Sequence, residues 1–461
     1  MDTVIKNGKI AMPYGIFEAG VAIDNGRIQL IAKNAHLPQA TQILDARGNI
    51  LLPGVIDGHV HCEDPGFPRR EDFETATRAA ACGGVTTVID HPLTIPVPAT
   101  VELLVQKRTL LEPKALVDFG LHGALLPTNI GELERTWNWG VQAVKAFFCS
   151  SEPDYPAMYE GELFVALEKL AKLNGLCLIH AENDPMLKFN LERLQQAGRK
   201  DWQAHADSRP PLVELLAIRT FVSLLEHTGA SGLLAHTSIP EGVEEAIRAR
   251  SRGVRVFVES CPHYFHMTNK DLTEKGPWVK IAPPLRNKGL VTKLWEQLAK
   301  GWIDVLASDH SPYEVHEKEQ PFEEGDIWAA PCGMPGTETM LPLMLMAVNR
   351  GNLSLERLVE VFSSNPAKLY GLYPQKGTIQ PGADADLVLI DMKREWTITS
   401  DKLHSKAGWT PYEGWRVRGA PYLTMMRGEV LMEEGEVIGR PGNGKFLSRR
   451  EQLPIPQGLS L

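Results

Sequence analysis

The chain of 461 residues has 43% hydrophobic and 23% charged residues, an ordinary globular composition, and its length suits one large domain with a smaller one. A net charge of −9 with no Lys/Arg-rich block offers no footprint for nucleic acid or an anionic membrane surface. No apolar run reaches the length of a membrane span.

The first residues, MDTVIKNGKIAMPYG, lack the basic-then-apolar order of a secretion signal. Six cysteines (Cys62, Cys82, Cys149, Cys177, Cys261, Cys332) are scattered without CxxC spacing. Both features point to reduced thiols and a cytoplasmic setting.

From the N-terminus, TVIKNGKIAM and VAIDNGRIQLIA read as short strands broken by Asn-Gly, a hairpin signal. KGTIQPGADADLVLID and LTMMRGEVLMEEGEVIG repeat this grammar near the other end. The two ends are expected to pair into one small β-sandwich domain, residues 1–52 with 374–461. Between them, eight apolar, β-branched runs alternate with helix-like segments: 54–61, 84–92, 116–125, 141–149, 175–183, 231–238, 254–261 and 303–311. This is the rhythm of an α/β fold, a (β/α)8 TIM-like barrel, over residues 53–373. Val97–Pro113 and Asp184–Ser208 read as longer insertions, suited to covering a site.

Catalytic groups in such barrels come from the C-terminal strand ends. His59 and His61 end the first run, Lys145 lies in the fourth, and His180, His236 and Asp309 end the fifth, sixth and eighth. His36, His205, His227 and His404 fall in loops or helices. Singly, each strand-end histidine reads as well as a satisfied polar residue, and Asp309 as a helix cap. Lys145 has the alternative of facing a carboxylate such as Asp118 or Glu182. Beside metal ions, a buried ammonium is unfavourable, so as a site member it must lose or reverse its charge; a carbamate formed with carbon dioxide reverses it. Together the six offer an N/O donor set for two divalent ions, zinc first, with manganese, cobalt or iron tolerated. Such a pair activates water for hydrolysis of a carbonyl bond, with Asp309 as ligand and proton shuttle.

LLPGVIDGHVH, AACGGVTTVID, VKAFF, HAEN, HTSIPEGVEEAIRARSRG, ESCPHYF, APPLRNK, SDHSP and GMPGTET together resemble the amidohydrolase superfamily. They are most similar to its cyclic-amide branch of dihydroorotases, hydantoinases/dihydropyrimidinases and allantoinases, and the likeness covers essentially the whole chain. The resemblance implies a dinuclear site on His59, His61, carboxylated Lys145, His180, His236 and Asp309, a small cyclic amide as substrate, and a homotetramer.

Departures choose among members. Dihydroorotases carry an arginine after HxH and an asparagine after the second strand; here Cys62 and Leu93 stand there, with Arg69 and Arg70 as possible substitutes. Hydantoinases place a tyrosine five residues after the lysine; here Ser150 stands there, as small hydroxyl residues do in allantoinases, although Tyr155 and Tyr159 are close by. The resemblance implies backbone contacts to the ring from Ala282 and Cys332. The Cys261-Pro262-His263 run reads as structural support after the seventh strand, in preference to a catalytic His263. The favoured reaction is allantoin to allantoate, followed by hydantoinase, then dihydroorotase. A non-catalytic scaffold relative is the alternative from another class, and retention of all six ligand types opposes it.

Overall fold

The computed structural model describes residues 1–150 and 154–449; residues 450–461 of the expected C-terminal part lie outside them. Eight parallel strands close into a ring: β1 (Val55–Val60), β2 (Val85–Asp90), β3 (Asp118–Leu121), β4 (Val144–Phe147), β5 (Leu176–His180), β6 (Ser231–Leu234), β7 (Val256–Ser260) and β8 (Val305–Leu306). Beyond β3, Gly123 and Ala124 pair with Val144 and Lys145, and a parallel bridge from Val60 to His310 joins the last strand to the first. Every residue of these strands is buried, which explains why they read as continuous apolar runs without alternation.

Helices cover the outside. Phe73–Cys82 starts at Asp72, whose carboxylate accepts the Thr75 N–H at 3.0 Å in a reciprocal capping box. It buries Phe73, Ala76, Ala79, Ala80 and Ala81, small side chains that let it lie close on the barrel. The two expected insertions are mostly helical. Val101–Leu111, capped by Thr100, is the helix that follows β2 and buries Leu104 and Leu111, so that stretch is part of the barrel's own wall. Asp184–Gln196 and Trp202–Ser208 form an added helical pair after β5.

Strands from both ends build the second layer. A seven-stranded sheet runs Glu436–Val437, Glu429–Glu433, Arg416–Met426, Leu387–Thr397, Ile50–Pro53, Lys9–Met12, Gly15–Glu18. A four-stranded sheet runs Arg27–Ala32, Gly20–Asp24, Thr3–Lys6, Gln42–Asp45. Ile5, Ile10, Val21, Leu51, Leu387 and Met425 share one core. Asn25-Gly26 makes the expected two-residue hairpin, with Asp24 opposite Arg27. Asn7-Gly8 does not: Thr3–Lys6 and Lys9–Met12 belong to different sheets. There Asn7 is left-handed (φ 59°) and its side chain accepts from Asn34 Nδ2 at 2.7 Å, turning the chain from one layer to the next.

Between barrel and sheets, buried Lys376 Nζ reaches Asp118 at 2.6 Å, Asp386 at 2.7 Å and Asp384 at 3.1 Å. Arg427 also pairs with Asp118.

Candidate metal centre

All six candidate residues line one cleft of about 290 Å³. A larger groove of about 1160 Å³ lies between the terminal sheets and holds none of them. His59 Nε2 and His61 Nε2 lie 3.1 and 3.4 Å from Asp309 Oδ1, and His180 Nδ1 lies 2.9 Å from His236 Nε2. On β4, Lys145 and Phe147 are two residues apart, so both face the cleft. His236 (φ 34°) and Asp309 (φ 49°) adopt left-handed backbone, which is rare outside glycine and gathers at functional sites. The His236 N–H donates to Glu259 Oε1 at 3.1 Å, and the main chain beside Asp309 is tied by His61 N–H to His310 O at 2.7 Å.

The ring tautomers test whether a cation fits. His59 Nδ1 sits 2.6 Å from Glu259 Oε1, and His180 Nε2 sits 2.8 Å from Glu182 Oε2. A ring that donates one N–H to a carboxylate presents a lone pair at its other nitrogen. His59 then aims a lone pair at the Asp309 carboxylate, and His180 aims one at His236. Burial holds the His59, His180 and His236 pKa values down, keeping the rings neutral. Burial alone would raise the Asp309 pKa, but the His59 and His61 imidazoles hold it well below the carboxylate range. Converging lone pairs and an ionised carboxylate, in a buried cleft, match what divalent ions require.

Lys145 is buried, with Nζ 5.0 Å from the centre of the Phe147 ring. Burial lowers its pKa, while Glu259 and Asp309 oppose the shift. The carboxylates named as alternative partners are occupied elsewhere: Asp118 by Lys376 and Arg427, and Glu182 by His180 and Arg209.

Several residues beneath the cleft lie inside the segments that carry the resemblance without being ligand candidates there: Glu259 in ESCPHYF, Glu182 in HAEN and Asp57 in LLPGVIDGHVH. Glu259 and Glu182 orient the His59 and His180 rings. Asp57 accepts from Ser308 N–H (2.9 Å) and Thr337 Oγ1 (2.8 Å), fixing the approach to Asp309. Glu71 lies 3.4 Å from His310 Nε2. His91 stacks on His59 with centroids 3.6 Å apart, yet it is not among the residues lining the cleft. Glu182 lies two residues beyond the end of β5 and Glu259 one residue before the end of β7, each close to a strand end as the histidines are, and that was the available signal.

Ser150, Ala282 and Cys332 also line the cleft. Tyr155 and Tyr159 do not: Tyr155 donates to the Pro92 carbonyl, and Tyr159 to Asp184 at 2.9 Å. Cys62 is buried, with its N–H on Asp90 Oδ1 at 3.0 Å, while Leu93 lines the cleft. Arg69 is exposed, and Arg70 reaches the cleft wall. His263 is buried against the Tyr264 ring.

Buried neutral histidines set an acid limit. Burial brings the His122 pKa to about 3 and those of His263 and His266 to about 4. Below the ordinary value near 6.5, the unfolded chain takes up protons that the folded one refuses. Stability is therefore full above about pH 6.5 and falls as pH drops toward 4. The expected loss is roughly 2 kcal/mol per such ring by pH 5. Unfolding midpoints measured from pH 7.5 to 5 check this; a flat profile contradicts it.

A closed parallel barrel gathering four imidazoles, a lysine and an aspartate round a cleft at its strand ends defines a barrel hydrolase. Residues 218–431 match the amidohydrolase family and residues 48–187 the dihydro-orotase-like family. The chain is 38% identical to the L-hydantoinase of Paenarthrobacter aurescens, over 97% of this chain and 98% of that protein. It is 34% identical to the allantoinase of Deinococcus radiodurans, over 98% and 99%. The solved L-hydantoinase (dihydropyrimidinase) from Arthrobacter aurescens superposes with a TM-score of 0.95, covering 97% of this chain and 100% of that one at 38% identity. The chain belongs to the amidohydrolase family and falls in its branch of cyclic-amide hydrolases.

Proposed function

We propose that the protein hydrolyses a hydantoin ring bearing an uncharged C5 substituent. The observation that carries this reading is that both arginines of the cleft are committed. Arg70 Nη2 lies 2.5 Å from Glu317 and Nη1 3.7 Å from Glu63, with its guanidinium over the Phe67 and Tyr313 rings. Arg209 is held by Glu182. A ring carboxylate therefore finds no free guanidinium among the described residues, which argues against dihydroorotate. Phe67, Leu93, Phe147 and Ile281 give the cleft hydrocarbon walls. These walls, with the likeness to an L-hydantoinase, favour an alkyl or aryl substituent. Allantoin is the second reading: its ureido arm suits the hydroxyls of Ser150 and Ser311, which also line the cleft.

His59, His61, His180, His236, Asp309 and Lys145 as its carbamate would hold two divalent ions, supplying a water acidic enough to attack at neutral pH and a polarised carbonyl. Asp309, ionised in the resting site, takes the proton of the attacking water and delivers it to the ring nitrogen as the C–N bond breaks. Glu259 and Glu182 keep the His59 and His180 rings turned for this. Main-chain groups at Ala282 and Cys332 orient the ring amide.

A panel of 5-alkyl and 5-aryl hydantoins, allantoin, dihydrouracil and dihydroorotate tests the reading. Substituted hydantoins are expected to give the highest kcat/KM, with dihydroorotate at least about a hundredfold lower, since the cleft leaves a carboxylate unpaired. Best turnover of dihydroorotate overturns it. Lys145→Ala is expected to lose metal content and turnover together; a folded variant with normal dinuclear loading refutes the bridging role.

A further inference from the structure

The helix Phe73–Cys82 runs back from the cleft, so Cys82 stands at the opposite end of the barrel, just before β2. There its Sγ lies 3.7 Å from His404 Nε2. His404 is locked by Glu338: its Nδ1 is 2.9 Å from Oε1, and its main-chain N–H donates to Oε2 at 2.7 Å. Donation from Nδ1 leaves the Nε2 lone pair facing the thiol. These three side chains line an open cavity of about 450 Å³, together with Glu434 and Glu436 of the last hairpin.

Two kinds of chemistry suit a thiol beside a carboxylate-bound imidazole: nucleophilic attack, or metal ligation. Surroundings decide between them. A reactive thiolate needs positive neighbours. Cys82 is the last residue of its helix, at the negative end of the helix dipole. Burial, followed by the Glu338 charge, raises its pKa, and Arg78 opposes this only in part. A cation in place of the thiol proton answers every one of these features. Geometry agrees. A tetrahedral ion with bonds of about 2.3 Å to sulfur and about 2.0 Å to nitrogen separates those atoms by about 3.5 Å, a small closing of the observed gap.

We propose that Cys82 Sγ and His404 Nε2 form a second metal site, for one thiophilic divalent cation of the zinc or cadmium kind. Glu338 is its positioning residue, and Glu436 with water completes the coordination. Binding forms the metal–sulfur and metal–nitrogen bonds and releases the thiol proton to solvent. The ion staples the C-terminal end of the barrel's first helix to the segment after residue 400, whose Lys406 already pairs with Asp72 at the start of that helix at 2.9 Å.

The test is a cadmium titration of the purified protein with its barrel metals in place, read by the ultraviolet thiolate-to-cadmium charge-transfer band and by protection of Cys82 from iodoacetamide. One saturable band per chain is expected, together with protection. The band is expected to be absent in Cys82→Ser, about tenfold or more weaker in affinity in Glu338→Gln, and unchanged in Cys149→Ser, whose thiol lies beside His180. Circular dichroism verifies that each variant is folded. A band that survives Cys82→Ser, disappears in Cys149→Ser, or never forms overturns the proposal. Alkylation of Cys82 at an undiminished rate in saturating cadmium, the behaviour of a free nucleophile, overturns it as well.

Discussion

Asp309→Asn is expected to lower kcat on the best hydantoin by roughly two to four orders of magnitude while KM moves only a few-fold. Asparagine keeps the shape of the side chain and one oxygen to face His59 and His61. It cannot accept a proton, so the step that carries hydrogen from the attacking water to the leaving nitrogen loses its carrier. The left-handed backbone at Asp309 (φ 49°) is tolerated by asparagine better than by most residues, so the substitution tests chemistry more than folding. Metal content measured beside the kinetics separates proton transfer from ligation. A variant that retains its metals and turns over within about tenfold of the parent removes Asp309 from the proton path.

Lys376→Met is expected to cost about 3–5 kcal/mol of stability, the range found when one partner of a buried ion cluster is deleted. Lys376 is 2% exposed, and its ammonium serves Asp118, Asp384 and Asp386 together. Methionine fills a similar volume, so little of the loss comes from packing. What remains is three buried carboxylates, with Arg427 beside Asp118 and Arg27 4.0 Å from Asp384 as the neighbouring cations. Raising the folded-state cost of those charges should also make the variant's deficit relative to the parent shrink in mild acid, as the stranded carboxylates take up protons. Denaturant midpoints compared at pH 7 and pH 5.5 read both effects; a loss under about 1 kcal/mol shows that water or local rearrangement shields the cluster.

Legibility in the sequence followed the range of the interactions involved. His59, His61, His180, His236 and Asp309 could be read because each closes an apolar run, and a closed barrel brings such ends together. Lys145 could be read from its parity with Phe147. The residues that orient them could not be ranked in advance, since Glu259 becomes significant only when β7 sits opposite His59, some 200 positions away. Val97–Pro113 was misread as a site-covering loop because its helix, VELLVQKRTLL, has too weak an apolar stripe to announce itself, and only the burial of Leu104 and Leu111 against the strands reveals its place. Asn7-Gly8 supplied a true turn signal, but a dipeptide does not state whether the next strand returns to the same sheet. The Cys82–His404 contact spans 322 positions and has no local signature at all.

The strand Ile50–Pro53 lies inside the seven-stranded sheet, between Lys9–Met12 and Leu387–Thr397. On the ribosome, its second neighbour emerges only after the whole barrel has been made, tens of seconds later at ordinary rates of synthesis. For that interval the nascent chain carries an apolar edge that has no partner of its own. Slow translation of the middle of the gene, or truncation before residue 387, should therefore favour aggregation and chaperone dependence over a stable fragment.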